Sequence, residues 1–230
     1  MLVGTNSVDP ENQLQRCADV MHSAEAADER VLIISHRPTD GCMKPWSYNY
    51  YNIINRYQDN IIAQLFGHAH TDEMKLYYDV NKRDRACAVG LIGPGFTTYS
   101  NLNSGYRVYV MEGDSPGSKF DLLDARNYFL NITDANMKGT ATWQYEYSFV
   151  DNYGVTDLTP PQLKQLVDRF DTDDKLFQLY HNHITKNEDL FNCDAECKQS
   201  TLCDIKQFRA GDNSFCWTNH QAEKNNIMTQ

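Results

Sequence analysis

Two short aliphatic runs, Val31 to Ile34 and Ile61 to Phe66, each break abruptly into a histidine-bearing loop, and this pairing constrains the fold more than any other feature of the chain. The first run leads into Ser35-His36-Arg37-Pro38-Thr39-Asp40-Gly41 and the second into Gly67-His68-Ala69-His70. Short apolar runs bounded by turn formers predict buried strands. Between them Tyr50, Ile53, Ile54 and Tyr57 recur at helical spacing, which predicts a helix from about Ser47 to Asp59. Ahead of them Asp9-Pro10-Glu11 sets a capping carboxylate before a proline, and Leu14, Cys17, Ala18, Met21 and Ala24 continue a helix to about Asp28. Strand, loop, helix, strand, loop is the alternation of an α/β layered fold. In such folds, sites gather outside the carboxyl ends of the strands.

Further strands are expected at Glu73 to Asp79, Ala86 to Ile92, Tyr106 to Met111 and Lys119 to Asp124, separated by Gly, Pro and Asn turns. Near Asn136 the pattern changes. Leu163, Leu166, Val167 and Phe170 follow Thr159-Pro160-Pro161, and Leu176, Phe177, Leu179 and Tyr180 follow Asp173. Two parts are therefore expected, a sheet-containing part over 1–135 and a helical part over 136–230. No run approaches the roughly 20 apolar residues of a membrane span. With 21 basic against 31 acidic residues the net charge is -10, and no dense basic cluster occurs. That balance argues against binding nucleic acid through its phosphates. An anionic substrate would need local positive charge, such as a metal.

Four of the seven cysteines, Cys193, Cys197, Cys203 and Cys216, crowd the C-terminal end. Zinc binding and two disulfides are the alternatives, and the uneven gaps favour disulfides because zinc modules usually carry paired CxxC-like spacings. Disulfides imply an oxidising compartment, and the Asn131-Ile132-Thr133 sequon leans the same way. Yet Met1 to Pro10 has no charged n-region, apolar h-region or cleavage site of a signal peptide. The expectation is a chain that lacks its front.

His36, His68 and His70 stand where a metal site would put them. In an extended loop, residues two apart point the same way, so His68 and His70 could serve two ions a few ångströms apart. Neutral imidazole is a common zinc ligand, and paired ions can clamp a phosphoryl group. His22, His181, His183 and His220 are read as surface residues.

Ile33-Ile34-Ser35-His36-Arg37-Pro38, followed by Ala63 through Gly67-His68-Ala69-His70-Thr71-Asp72, resembles the last two metal-binding motifs of the calcineurin-like metallophosphoesterases. More narrowly, Cys42 to Tyr51 (with Trp46), Arg56-Tyr57, Thr97-Thr98-Tyr99 and Gly105-Tyr106-Arg107-Val108-Tyr109 resemble the acid sphingomyelinase family, and nearly the whole chain is covered in order. The resemblance implies the C-terminal half of a layered metallophosphoesterase β-sandwich with flanking helices, followed by a small helical disulfide-stapled domain. It implies a zinc-dependent phosphodiesterase, secreted or lysosomal, that converts sphingomyelin to ceramide and phosphocholine and meets the membrane only peripherally. His36 and His68 would bind one zinc and His70 the other. Tyr99 would lie near the substrate headgroup, where an aromatic face suits a quaternary ammonium. The implied pairings are Cys193 with Cys197 and Cys203 with Cys216.

The family's earlier motifs, Asp-x-His, then Gly-Asp, then Gly-Asn-His, are missing ahead of the histidine loops. Three neutral imidazoles do not balance two dications, so zinc binding by this chain alone is expected to be partial, with no catalytic residue assigned and weak activity at best. Cys42, whose family counterpart pairs upstream, is expected to be unpaired. Half a sandwich is also expected to be poorly stable, because it leaves strand edges uncovered. A catalytically inactive secreted protein that binds lipid or a partner is the alternative, and a nucleotide phosphodiesterase of the same family is another. The Trp46 to Tyr51 and Gly105 to Tyr109 stretches favour sphingomyelinase.

Overall fold

The computed structural model describes residues 9–187 and 193–216. The expected N-terminal helix splits in two: Pro10–Asn12 form a tight turn, and α1 runs Gln13–Ala26. Asp9 still caps it, accepting from the Leu14 and Gln15 amides at 2.8 and 3.0 Å. Next come β1 (Val31–Ile34), α2 (Lys44–Arg56, with Pro45 in its first turn) and β2 (Ile61–Phe66). β3 (Glu73–Tyr78) and β4 (Ala86–Ile92) complete a four-stranded sheet in the order β1-β2-β4-β3. β1, β2 and β4 are parallel, and β3 runs antiparallel along β4.

This sheet is covered on both faces, as its unbroken apolar strands require. One face carries Tyr77, Cys87, Ala88 and Ile92 against Leu14 and Met21 of α1, Tyr50, Tyr51 and Ile54 of α2, and Phe208. The other face carries Met74, Leu76, Tyr78, Val89 and Leu91. Those residues pack against Leu163, Leu166, Val167 and Phe170 of α5 (Pro160–Thr172) and Phe177 and Tyr180 of α6 (Asp174–Ile184). α7 (Ala195–Lys206) adds Leu202 and Ile205 to the same core.

β5 (Ser104–Met111), β6 (Leu122–Leu130) and β7 (Gln144–Ser148) form a second, antiparallel meander, with α3 (Ile132–Lys138) between the last two and α4 (Phe149–Tyr153) after it. Two differences from the sequence-based expectation stand out. β6 continues six residues beyond Asp124 to Leu130, because its polar Arg126 and Asn127 are drawn into the pairing opposite Val108 and Arg107 of β5. β7 lies past residue 135, so the second sheet crosses the expected boundary, and the core on α5 and α6 is shared with β3 and β4. Near the C-terminus Cys193 is bonded to Cys197 and Cys203 to Cys216, while Cys17, Cys42 and Cys87 are free.

Candidate metal centre

Parallel pairing of β1 with β2 brings the two histidine loops to one sheet end. The ladder runs past the strands: Ser35 N donates to the Leu65 carbonyl at 3.0 Å and Gly67 N to the His36 carbonyl at 3.0 Å. His36 and His68 thereby meet edge to face, with His36 Nε2 and His68 Nδ1 at 3.3 Å. Two nitrogens bound to one tetrahedral zinc at about 2.0–2.1 Å stand roughly this far apart; the same distance lets the metal-free rings share an N–H···N bond. Among the described residues, no third His, Cys, Asp or Glu ligand atom lies within 4.8 Å of both.

The loop of His68 and His70 is not extended as expected. Both residues take left-handed backbone, with φ of 73° and 67°. Such conformations cost side-chain-bearing residues about 1–3 kcal/mol each and persist only where the surroundings over-determine them. Partial desolvation, then the charges of Arg37, His36 and His70, lower the His68 pKa. That favours the neutral imidazole a metal requires. His70 is half-buried and meets the edge of Tyr99 with ring centroids 5.4 Å apart. Tyr99 is 70% exposed, so most of its ring is open to solvent beside the histidines.

A buried polar cluster underlies this loop. Asp72, two residues beyond His70, forms an ion pair with Arg107 of β5 and accepts from the Tyr147 hydroxyl at 2.8 Å. Arg107 Nε donates to Asn127 Oδ1 at 2.7 Å. Glu146 is half-buried with one oxygen unpartnered, and burial, then the charge of Asp72, pushes its pKa up to about 8. His183 corrects the surface expectation: it is 4% exposed, stacks on Tyr147 with centroids 4.1 Å apart, and its Nδ1 shares a hydrogen bond of 2.7 Å with Tyr153. Burial lowers its pKa to about 4. His22 is exposed, His181 half-buried, and His220 lies outside the described residues.

Of these residues, Asp72 and Arg107 sit inside motifs visible in the sequence: Asp72 closes the histidine loop, and Arg107 is a charge within an apolar strand pattern. Nothing local marks Tyr147, Glu146 or His183, whose partners are distant in the chain. Another ligand-like cluster, His181 with Cys193 and Cys197, has its sulfurs bonded to each other. A disulfide offers no thiolate. Asn131 caps α3, its side chain accepting from the Asp134 amide at 2.9 Å.

With the fold and the histidine pair in place, comparison assigns the chain. Residues 78–223 match the acid sphingomyelin phosphodiesterase C-terminal region, and the chain belongs to that family. It is 39% identical over 216 residues to human sphingomyelin phosphodiesterase and 35% identical over 217 residues to sphingomyelin phosphodiesterase 2 of Caenorhabditis elegans. Both alignments cover 92% of this chain but only 34% and 35% of the relatives. The mouse cyclic GMP-AMP phosphodiesterase SMPDL3A is 30% identical over 94% of this chain and 51% of its own length. The chain thus spans about a third of the sphingomyelin phosphodiesterases it matches.

Proposed function

We propose that this chain supplies the histidine side of a zinc-dependent phosphodiester hydrolase acting on sphingomyelin, with ceramide and phosphocholine as products. The observation that carries the reading is the 3.3 Å approach of His36 Nε2 to His68 Nδ1, which fits two corners of a tetrahedral site. His36 and His68 would hold one ion and His70, on the far side of Ala69, the other. When bound, the metal supplies Lewis acidity to the phosphoryl oxygens and a hydroxide near neutral pH. Charge balance asks for carboxylate ligands beyond the three imidazoles. The layering we propose is the C-terminal half of a calcineurin-like sandwich that takes in β7 beyond residue 135, followed by a disulfide-stapled helical part. Tyr99 would present its open ring to the choline headgroup.

The residues around the histidine pair exclude water poorly, since His36, His68 and Tyr99 are exposed. Their contribution is ligation and headgroup orientation. The disulfides support a secreted or lysosomal setting, with Asn131 as the glycosylation site, and no described helix is long and apolar enough to cross a membrane. Contact with a lipid surface would be peripheral. The relative named as a cyclic GMP-AMP phosphodiesterase makes nucleotides the alternative substrate class, because an exposed tyrosine can stack a base as readily as cradle an ammonium.

A hybrid tests the proposal: this chain replaces the matching third of human sphingomyelin phosphodiesterase. The expected result is hydrolysis of sphingomyelin in mixed micelles, lost in His68→Ala. A folded hybrid that binds zinc yet leaves sphingomyelin intact would end the reading, and cleavage of cyclic dinucleotides alone would replace it with the alternative.

A further inference from the structure

Among the described residues Lys186 is the one lysine with no exposed surface, and the carbonyls its ammonium reaches lie 116 and 91 residues away in the chain. It follows α6 in the left-handed conformation, with φ of 57°. From there its ammonium donates to the carbonyl of His70 at 2.8 Å and reaches that of Gly95 at 3.4 Å. The same His70 carbonyl accepts from the Gly95 amide at 3.2 Å. A left-handed residue turns its carbonyl away from the strand direction, so two donors on that oxygen fix the orientation of the peptide that follows His70.

The surroundings leave Lys186 no other course. A Cβ on Gly105 would lie 2.8 Å from Lys186 Cδ and 2.9 Å from Pro94 Cβ, so the lysine stem threads a slot that only glycine leaves open. A Cβ on Gly95 would lie 3.1 Å from His70 Cα, which holds the Gly95 loop against the histidine. The end of α6 is tied down beside the slot. The Ile184 carbonyl accepts from the Asp72 amide at 3.0 Å, and the Lys186 carbonyl from Asn103 at 3.2 Å.

We infer that Lys186 is a positioning residue for His70, holding the left-handed backbone that aims the imidazole toward Tyr99 and the metal side of the loop. It touches neither substrate nor metal. It works through the His70 carbonyl and makes the end of α6 part of the site, although α6 lies more than a hundred residues downstream of His70. The inference rests on His70 being a zinc ligand for its consequence, but its structural content stands apart from zinc.

The test uses the full chain and Lys186→Met, which keeps the stem and removes the donor. In the metal-free protein the Gly95 amide should exchange at least about ten-fold faster with deuterium, and the His70–Tyr99 ring contact should disappear from nuclear Overhauser spectra. Zinc alone is then titrated against a chromophoric chelator, with affinity expected to fall about ten-fold or more, as in His70→Ala. A folded Lys186→Met chain with ring contact, Gly95 exchange and zinc affinity all unchanged overturns the inference. If zinc binding in the parent chain is absent, or indifferent to His36→Ala, His68→Ala and His70→Ala, the zinc reading fails, and the metal-free measurements still decide the role of Lys186. Should Lys186→Met not fold, Gly105→Ala keeps the ammonium but crowds its slot. It should give the same loss of contact and faster exchange, and unchanged values in a folded Gly105→Ala chain overturn the inference equally.

Discussion

The hydroxyl of Tyr147 donates to Asp72 at 2.8 Å, joining the last strand of the second sheet to the residue that closes the histidine loop. Asp72 also carries the buried ion pair with Arg107, so this carboxylate holds two sheets and the loop together. Tyr147→Phe should cost about 1.5–3 kcal/mol, because it removes both the bond donated to Asp72 and the one accepted from Arg107 Nη2 at 3.1 Å. Asp72→Ala should cost roughly 3–5 kcal/mol, because it leaves the Arg107 guanidinium buried without its counter-ion. Urea unfolding of both variants measures the difference; equal losses would mean that the ion pair is not the dominant tie.

Stability should depend on pH through two buried groups with opposite signs. Glu146 has its pKa raised to about 8, so its contribution is complete below the unfolded value near 4.5 and is lost as pH rises through 8. His183 has its pKa lowered to about 4, so its contribution is present above 6.5 and is lost as pH falls toward 4. A tenfold difference in proton affinity between the folded and unfolded chain corresponds to about 1.4 kcal/mol. The slopes of these two groups oppose each other between roughly pH 4.5 and 6.5, and above that Glu146 continues while His183 no longer does, so the Glu146 contribution should decline from about pH 6.5 to 8. Melting temperatures across this range should lose that decline in Glu146→Gln. A decline that persists would assign it to other groups.

The two disulfides should contribute unequally. Cys203–Cys216 spans 13 residues and Cys193–Cys197 only 4. The longer loop restricts the unfolded chain more, by about 3 kcal/mol against about 2 kcal/mol for the shorter on loop-closure entropy. Cys203→Ala with Cys216→Ala should therefore lower the urea midpoint more than Cys193→Ala with Cys197→Ala. The reverse order would point to native-state packing around Cys193, which is buried in the shared core.

At Tyr99 the ring rather than the hydroxyl should matter. In the hybrid enzyme Tyr99→Phe should keep its KM for sphingomyelin. Tyr99→Ala should raise it several-fold, in line with a cation–π contact of about 0.5–2 kcal/mol. Equal KM for all three proteins would remove Tyr99 from the headgroup site.

Much of this arrangement is legible in the chain because it is local. Val31–Ile34 and Ile61–Phe66 are short apolar runs ended by polar loops, and they form β1 and β2 where expected. The 3.6-residue repeats of Leu163 to Phe170 and Leu176 to Tyr180 similarly mark α5 and α6. Where polar residues enter a sheet, the pattern fails. Arg126 and Asn127 break the apolar pattern yet lie in β6, where Arg126 pairs with Asp124 two residues back and Asn127 accepts from Arg107 of β5. The surface expectation for His183 fails for a related reason: a histidine on a helix declares nothing about a tyrosine stacked on it from 36 residues away.

The family, the two histidine loops and the cysteines of the C-terminal region can all be read from the linear order of residues, because motifs and spacings are properties of neighbours in the chain. Packing in three dimensions was needed to set His36 Nε2 at 3.3 Å from His68 Nδ1, to turn both loop histidines into left-handed backbone, and to bring Lys186 under Gly105 to the His70 carbonyl. Each of these depends on strand register and on segments packed together from opposite ends of the sequence. Burial then governs how such groups pair and titrate, because removing water raises the cost of every unpaired charge.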